Sequence, residues 1–124
     1  MGEARELTGY PSIDKPWLKY YSEEVINTEI LSKTLTEYIE YKNKDQTLPA
    51  LEFYGRIITY REFFDNVYKI SSLLTEHDVQ PFDNVTFALP LIPETIYLIY
   101  ALDVIGAAAN LVDPRVPSER MQEP

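Results

Sequence analysis

The chain has 124 residues, 45% of them hydrophobic and 25% charged, enough for one domain with a modest core and too apolar for wholesale disorder. Its 20 acidic and 11 basic side chains leave a formal net charge of −9, which repels a phosphate backbone and counts against nucleic-acid binding. There is no cysteine, which excludes disulfides, thiolate nucleophiles and cysteine metal sites, and the single His77 has no second histidine with which to build a zinc site.

The stretch Met1 to Tyr10 lacks the basic start and apolar core of a signal peptide. The most apolar window, Ile92 to Val112, contains Glu94, Asp103 and Asn110 and makes a poor membrane span. These features predict a cytoplasmic protein with no membrane span. Residues 1–29 read as an irregular, extended N-terminal arm: Pro11 and Pro16 break regular structure, and Trp17, Leu18, Tyr20 and Tyr21 form an aromatic cluster that needs a surface to cover. Ile30 to Lys44 reads as a helix, with Leu31, Leu35, Tyr38, Ile39 and Lys42 on one stripe, and with Lys42 and Lys44 at the negative end of its dipole.

Ala50 to Phe53 and Arg56 to Thr59 are β-prone, and Tyr54-Gly55 between them predicts a two-residue hairpin turn. Thr59 and Glu62 then stand at capping-box spacing, opening a helix with Phe63, Phe64, Val67, Ile70, Leu73 and Leu74 on its apolar face. Asn84 to Leu89 is a short apolar run after the turn residues Gln80 to Asp83, the pattern of a parallel strand buried on both faces. Pro93 suits the first position of the next helix and Gly106 its left-handed cap, after which Ala107 to Val112 resumes as strand. Strand, helix, strand with short connections predicts a βαβ unit with a parallel sheet. The helix from Glu94 is apolar nearly all round, as a helix inside a larger protein would be.

The chemistry-bearing residues are few. Gly2, Gly9, Gly55 and Gly106 are too scattered to form a phosphate loop, and neither the Walker pattern nor the dinucleotide fingerprint is present. Asp113, at the end of a strand, stands where open α/β sheets place metal or ribose ligands, and it equally suits a turn before Pro114. Asp83 reads as turn chemistry, His77 as an imidazole at a helix end, and the pairs Glu23-Glu24 and Glu37-Glu40 as solvated faces. No Ser or Thr has a base beside it. No catalytic, cofactor-binding or metal-ligating residue is therefore assigned.

Taken in order, the segments resemble those of adenylate-forming (AMP-binding) enzymes. Phe82-Asp83-Asn84-Val85 with the following Thr86 to Pro90 stands where that family usually reads Gly-Asp-x-Val, an apolar run and Leu-Pro, the usual Gly being replaced here. Pro93-Glu94, Gly106-Ala107 and Asn110 to Pro114 are similar to its next segment, and Arg56 to Phe63 to its Thr-Tyr-x-Glu-Leu helix start. Pro11 to Tyr21 looks like the opening of its bacterial acyl-CoA synthetases.

The resemblance spans roughly Ile30 to Met121. It implies an N-terminal fragment of an acyl-CoA synthetase-like ligase of the fatty-acid metabolism type. The parent would use ATP and Mg²⁺ to form an acyl-adenylate, then pass the acyl group to coenzyme A. The family's phosphate loop, acidic Mg²⁺ ligand, ribose Asp and catalytic Lys would all lie beyond Pro124, so the fragment is expected to be inactive alone. On this reading residues 30–124 are an incomplete N-terminal α/β subdomain, partial and three-layered, preceded by the arm. Its partners would be the remainder of the parent enzyme, or a second copy held through the apolar helix and the sheet edge at Asn84 to Leu89. The rival reading is a stand-alone α/β protein-interaction or regulatory module.

Overall fold

The computed structural model describes residues 6–121. Residues 1–5 of the expected arm and residues 122–124 of the expected subdomain lie outside the described residues. Two compact units divide the chain between Leu31 and Ser32.

The first unit corrects the expectation of an irregular, extended arm. Helix α1 (Pro11–Asp14), a 3₁₀ turn (Pro16–Tyr20) and helix α2 (Glu23–Ile26) follow one another. Pro11 and Pro16 open the first two segments instead of breaking them, because at a first helical position the missing N–H has no partner to lose. The Asp14 carboxylate accepts from the Thr8 N–H at 2.9 Å, the Thr8 hydroxyl at 2.8 Å and the Gly9 N–H at 2.9 Å, tying the preceding irregular segment to the end of α1. Ser22 caps α2, its hydroxyl accepting from the Val25 N–H.

In the second unit the first helix is shorter than its apolar stripe suggests. Helix α3 runs Leu35–Lys42, because Thr34 is its N-cap and forms a full capping box with Glu37. Leu31 lies before the helix, and Leu35 is 54% exposed instead of joining the core stripe. At the other end the Asn43 carboxamide donates to the Ile39 carbonyl at 2.8 Å and closes the last turn. Strands β1 (Pro49–Phe53) and β2 (Arg56–Thr59) form the antiparallel hairpin, Phe53 opposite Arg56. Its turn residues Tyr54 and Gly55 both take positive φ, 48° and 80°, matching the strand twist of a tight hairpin.

Helix α4 (Tyr60–Glu76) opens with the expected capping box. The Thr59 hydroxyl accepts from the Glu62 N–H at 3.3 Å, and the Glu62 carboxylate accepts from the Thr59 N–H at 3.1 Å. The α4 face with Phe63, Phe64 and Val67 is buried together with Ile58 of β2. Strand β3 (Asn84–Phe87), helix α5 (Pro93–Ile105) and strand β4 (Ala108–Leu111) follow, with a short α6 (Ser118–Met121) at the end. β3 and β4 pair in parallel, Asn84 beside Ala108 and Phe87 beside Leu111, so the strand–helix–strand unit has its predicted parallel sheet. Pro93 is the first residue of α5, and Gly106 caps it at φ 86°. The fold is therefore mixed α/β, a small parallel sheet joined to a helix and an antiparallel hairpin.

Two expectations about burial change. β3 stops at Phe87 instead of Leu89, and Asn84 and Thr86 are exposed while Val85 and Phe87 are partly buried. Among the described residues each parallel strand has one hydrogen-bonded neighbour, and the exposed Asn84 and Thr86 of β3 leave one of its faces uncovered. In α5, Tyr97, Ala101 and Leu102 are buried, and Ile96, Leu98, Ile99, Tyr100, Val104 and Ile105 are partly buried. The core is aromatic, with Phe63 edge-on to Tyr100 at 5.2 Å and tilted against Tyr97 at 5.9 Å between ring centroids. No helix among the described residues is long and apolar enough to cross a membrane.

Candidate functional site

The parallel register brings the carboxyl ends of β3 and β4 together, the position at which open α/β sheets bind ligands. Beyond Phe87 the chain turns through Ala88 to Ile92 into α5, and beyond Leu111 it turns through Val112 to Pro117. The Val112 N–H donates to the Phe87 carbonyl at 3.0 Å and joins the two turns. The first turn is fixed by the fully buried Thr95, whose hydroxyl donates to the Pro90 carbonyl at 2.7 Å.

Asp113 sits at this edge and behaves as a turn residue. Its carboxylate accepts from the Arg115 N–H at 2.9 Å and from the guanidinium at 2.7 Å (Nη2) and 3.0 Å (Nε), closing an Asx turn reinforced by an ion pair. The Arg115 side chain, and then its backbone N–H, hold the Asp113 carboxyl below the usual carboxylate range. A metal or ribose hydroxyl would have to displace the guanidinium to reach these oxygens. No group of three His, Asp or Glu side chains among the described residues is arranged to hold a metal ion. Gly9, Gly55 and Gly106 lie in separate turns, so no glycine-lined phosphate cradle is assembled from them. The described residues therefore do not fit Mg²⁺ or a nucleotide triphosphate at the sheet edge.

The other candidates resolve as local structure. Asp83 accepts from the Gln80 N–H at 2.8 Å, the predicted turn chemistry. His77 is the C-cap of α4, its N–H shared between the Leu73 and Leu74 carbonyls. Glu23 and Glu24 occupy the exposed first turn of α2. Glu37 is exposed and belongs to the α3 capping box, and Glu40, partly buried, accepts from the Tyr68 hydroxyl at 2.5 Å. Desolvation, followed by the bond to Glu40, pushes the Tyr68 phenol up to about 12.

Sequence reasoning missed one buried polar junction. Asp103 of α5 accepts from the Thr36 N–H at 2.8 Å and from the Thr36 hydroxyl at 2.7 Å, and Thr36 is fully buried. A carboxylate thus caps the start of α3 from a residue 67 positions away. A lone Asp in an otherwise apolar helix was the available signal, since such a residue is buried only with a partner. Tyr97 is a second unforeseen feature: its hydroxyl is buried with no hydrogen-bond partner of normal geometry, and desolvation raises its pKa while Arg56 and Asn66 oppose the rise.

Comparison with known proteins agrees with this geometry. Acetyl-coenzyme A synthetases of Brucella canis and Brucella suis are each 44% identical to the chain over 55 residues, which is 44% of this chain and 8% of theirs. The chain thus covers 8% of the length of these curated relatives. Among solved structures, the N-terminal subdomain of Klebsiella oxytoca NpsA in complex with anthranilyl-AMSN superposes with a TM-score of 0.67 at 24% identity, covering 72% of this chain and 23% of that one. Unliganded O-succinylbenzoate coenzyme A synthetase from Bacillus subtilis gives a TM-score of 0.63 at 19% identity, covering 68% and 18%. These likenesses establish a shared fold. The model of the family described as AMP-binding enzyme matches residues 40–124, from the last turn of α3 through the hairpin, α4 and the β3–α5–β4 unit, and the chain belongs to that family.

Proposed function

We propose that this chain is the opening part of an ATP-dependent acyl-CoA synthetase-like ligase. The parent enzyme converts a carboxylic acid and ATP to an acyl-adenylate and pyrophosphate, then forms a thioester with coenzyme A. The observation that carries this reading is the family match over residues 40–124, supported by the acetyl-coenzyme A synthetase names of the curated relatives. A short-chain acid such as acetate is the first substrate to try, and a role in cytoplasmic fatty-acid metabolism goes with it.

The chain's own contribution is scaffold. The capped helix α4 and the Thr36–Asp103 junction hold α5 in place, and α5 carries the two parallel strands whose ends form a ligand-facing edge. The Arg115-locked carboxylate of Asp113 shapes that edge without a free ligand atom. ATP, Mg²⁺ and coenzyme A would be held by residues of the parent other than those described here. The chain alone is therefore inactive.

Carboxylate-dependent ATP–pyrophosphate exchange tests both statements. The product of the complete open reading frame is expected to exchange with at least one short or medium acid and to form the thioester once coenzyme A is added. Failure with every acid would overturn the ligase reading, and exchange by the verified 124-residue chain would overturn its inactivity. A reading frame ending at Pro124, with a cooperative melt of a monomer, would favour the stand-alone module.

A further inference from the structure

A hollow of about 130 Å³ lies at the margin of the aromatic core, where four elements meet. Its walls include Ile39 of α3, Ala50 of β1, Tyr60 and Phe63 of α4, and Ile96 and Tyr100 of α5. Phe63 is buried in the core cluster, and the other five are partly buried and packed against it. The Phe63 and Tyr100 rings meet edge to face at 5.2 Å between centroids. Among the described residues the Tyr97 hydroxyl is the one buried side-chain polar atom left without a partner, so the phenols of Tyr60 and Tyr100 add no orphaned polar group to the hollow. Among those residues, too, no charged side chain lines it, and none from β3, β4 or the turns beyond them does. The hollow is thus separate from the sheet edge.

We propose that this hollow binds one small, uncharged aromatic molecule of the size of benzene. Volume sets the size of the guest, since apolar protein cavities of about 150 Å³ stay dry and take up benzene or xenon. The lining sets its chemistry. These side chains are hydrocarbon apart from two phenol oxygens, so a charged guest would lose its hydration and gain no counter-charge. A water would find too few hydrogen-bonding partners among them. Three of the lining residues are aromatic, and edge-to-face contact adds to area burial, which favours an aromatic guest over an aliphatic one of equal volume. Ala50 has the smallest side chain of the wall and leaves the room that the guest fills. This site does not rest on the proposed ligase activity.

The test is methyl and amide NMR of the full chain titrated with benzene. Saturable shifts at Ile39, Ala50 and Ile96, with NOEs from the benzene protons to their methyl groups, are expected. Ala50→Leu places an isopropyl group in the hollow and is expected to weaken binding at least about tenfold, while the thermal midpoint holds or rises because a void is filled. Should Ala50→Leu fold poorly, Ile39→Phe fills the hollow from the α3 wall and carries the same expected loss of binding. Leu111→Ala, at the exposed sheet edge, leaves binding unchanged. Cyclohexane is expected to bind several-fold more weakly than benzene. Shifts that never saturate, shifts centred on the exposed Leu89 and Leu91, or unchanged affinity in the filling variants would overturn the proposal. So would cyclohexane binding as tightly as benzene, or NOEs from these methyl groups to water in place of benzene.

Discussion

Thr36 and Asp103 show how a single pair can decide where a helix sits. Thr36 has no exposed surface, and both its N–H and its hydroxyl end on one carboxylate oxygen of Asp103. Removing the hydroxyl leaves a buried acceptor short of a donor, so Thr36→Val is expected to destabilise the chain by about 1–3 kcal/mol. Asp103→Asn keeps an acceptor oxygen and is expected to lose less than Asp103→Ala, a ranking that urea denaturation at constant m-value would check. Tyr68 provides a second residue-scale prediction. Its phenol is raised from 10.0 to about 12, so the folded state favours the neutral form more than the unfolded state does. Its contribution to stability is complete below pH 10 and is lost as the pH rises to about 12. Absorbance titration of the phenolates should show Tyr68 and Tyr97 ionising late, and Glu40→Gln should bring one of the two earlier. Two late tyrosines that both persist in Tyr68→Phe would rule out this assignment.

At the scale of the element, helix ends carry more of the specification than helix faces. The Thr59–Glu62 box is legible because Thr-x-x-Glu immediately precedes an apolar run, and Thr59→Ala is expected to cost about 1 kcal/mol. The same signature at Thr34 to Glu37 outweighs the longer apolar stripe that begins at Leu31, which is why α3 is short. Gly106 ends α5 at φ 86°, and an added Cβ would meet only Pro81 at 3.7 Å, an ordinary contact. Gly106→Ala therefore costs about 1 kcal/mol through backbone strain alone, and a thermal melt should fall by about 4 °C. A loss several times larger would mean that packing, not φ, requires the glycine. Within α5, Leu102 is fully buried, and Leu102→Ala is expected to cost about 2–5 kcal/mol, which equilibrium denaturation would measure.

For the whole molecule, the decisive feature is a parallel pair of strands with no further neighbours among the described residues. Such pairs ordinarily lie inside larger sheets covered on both faces. Here Leu111 is 52% exposed, and the flanking Leu89 and Leu91 are exposed as well. The proposed consequence is that the sheet edge and the partly covered α5 associate, either with the rest of a parent enzyme or with a second copy. Sedimentation velocity of the chain should then show mass rising with concentration. A monomer across the range, with β3 and α5 both strongly protected from hydrogen exchange, would count against it.

By itself the sequence determined the local grammar: the Tyr54-Gly55 hairpin, the capped helix at Thr59, the strand–helix–strand order, and helix ends at Pro93 and Gly106. Each of these rests on interactions within a few residues, which composition and spacing encode directly. Family membership was legible for the same reason, because the ordered segments from Arg56 to Pro114 each carry a short-range signature. Only the tertiary structure decided that Asp103 reaches back to Thr36, and that the Tyr68 hydroxyl meets Glu40. Those facts depend on which side chains meet once the helices have packed, and on which polar groups are already occupied when they do. Periodicity reports the face a residue lies on, whereas its partner is set by the fold.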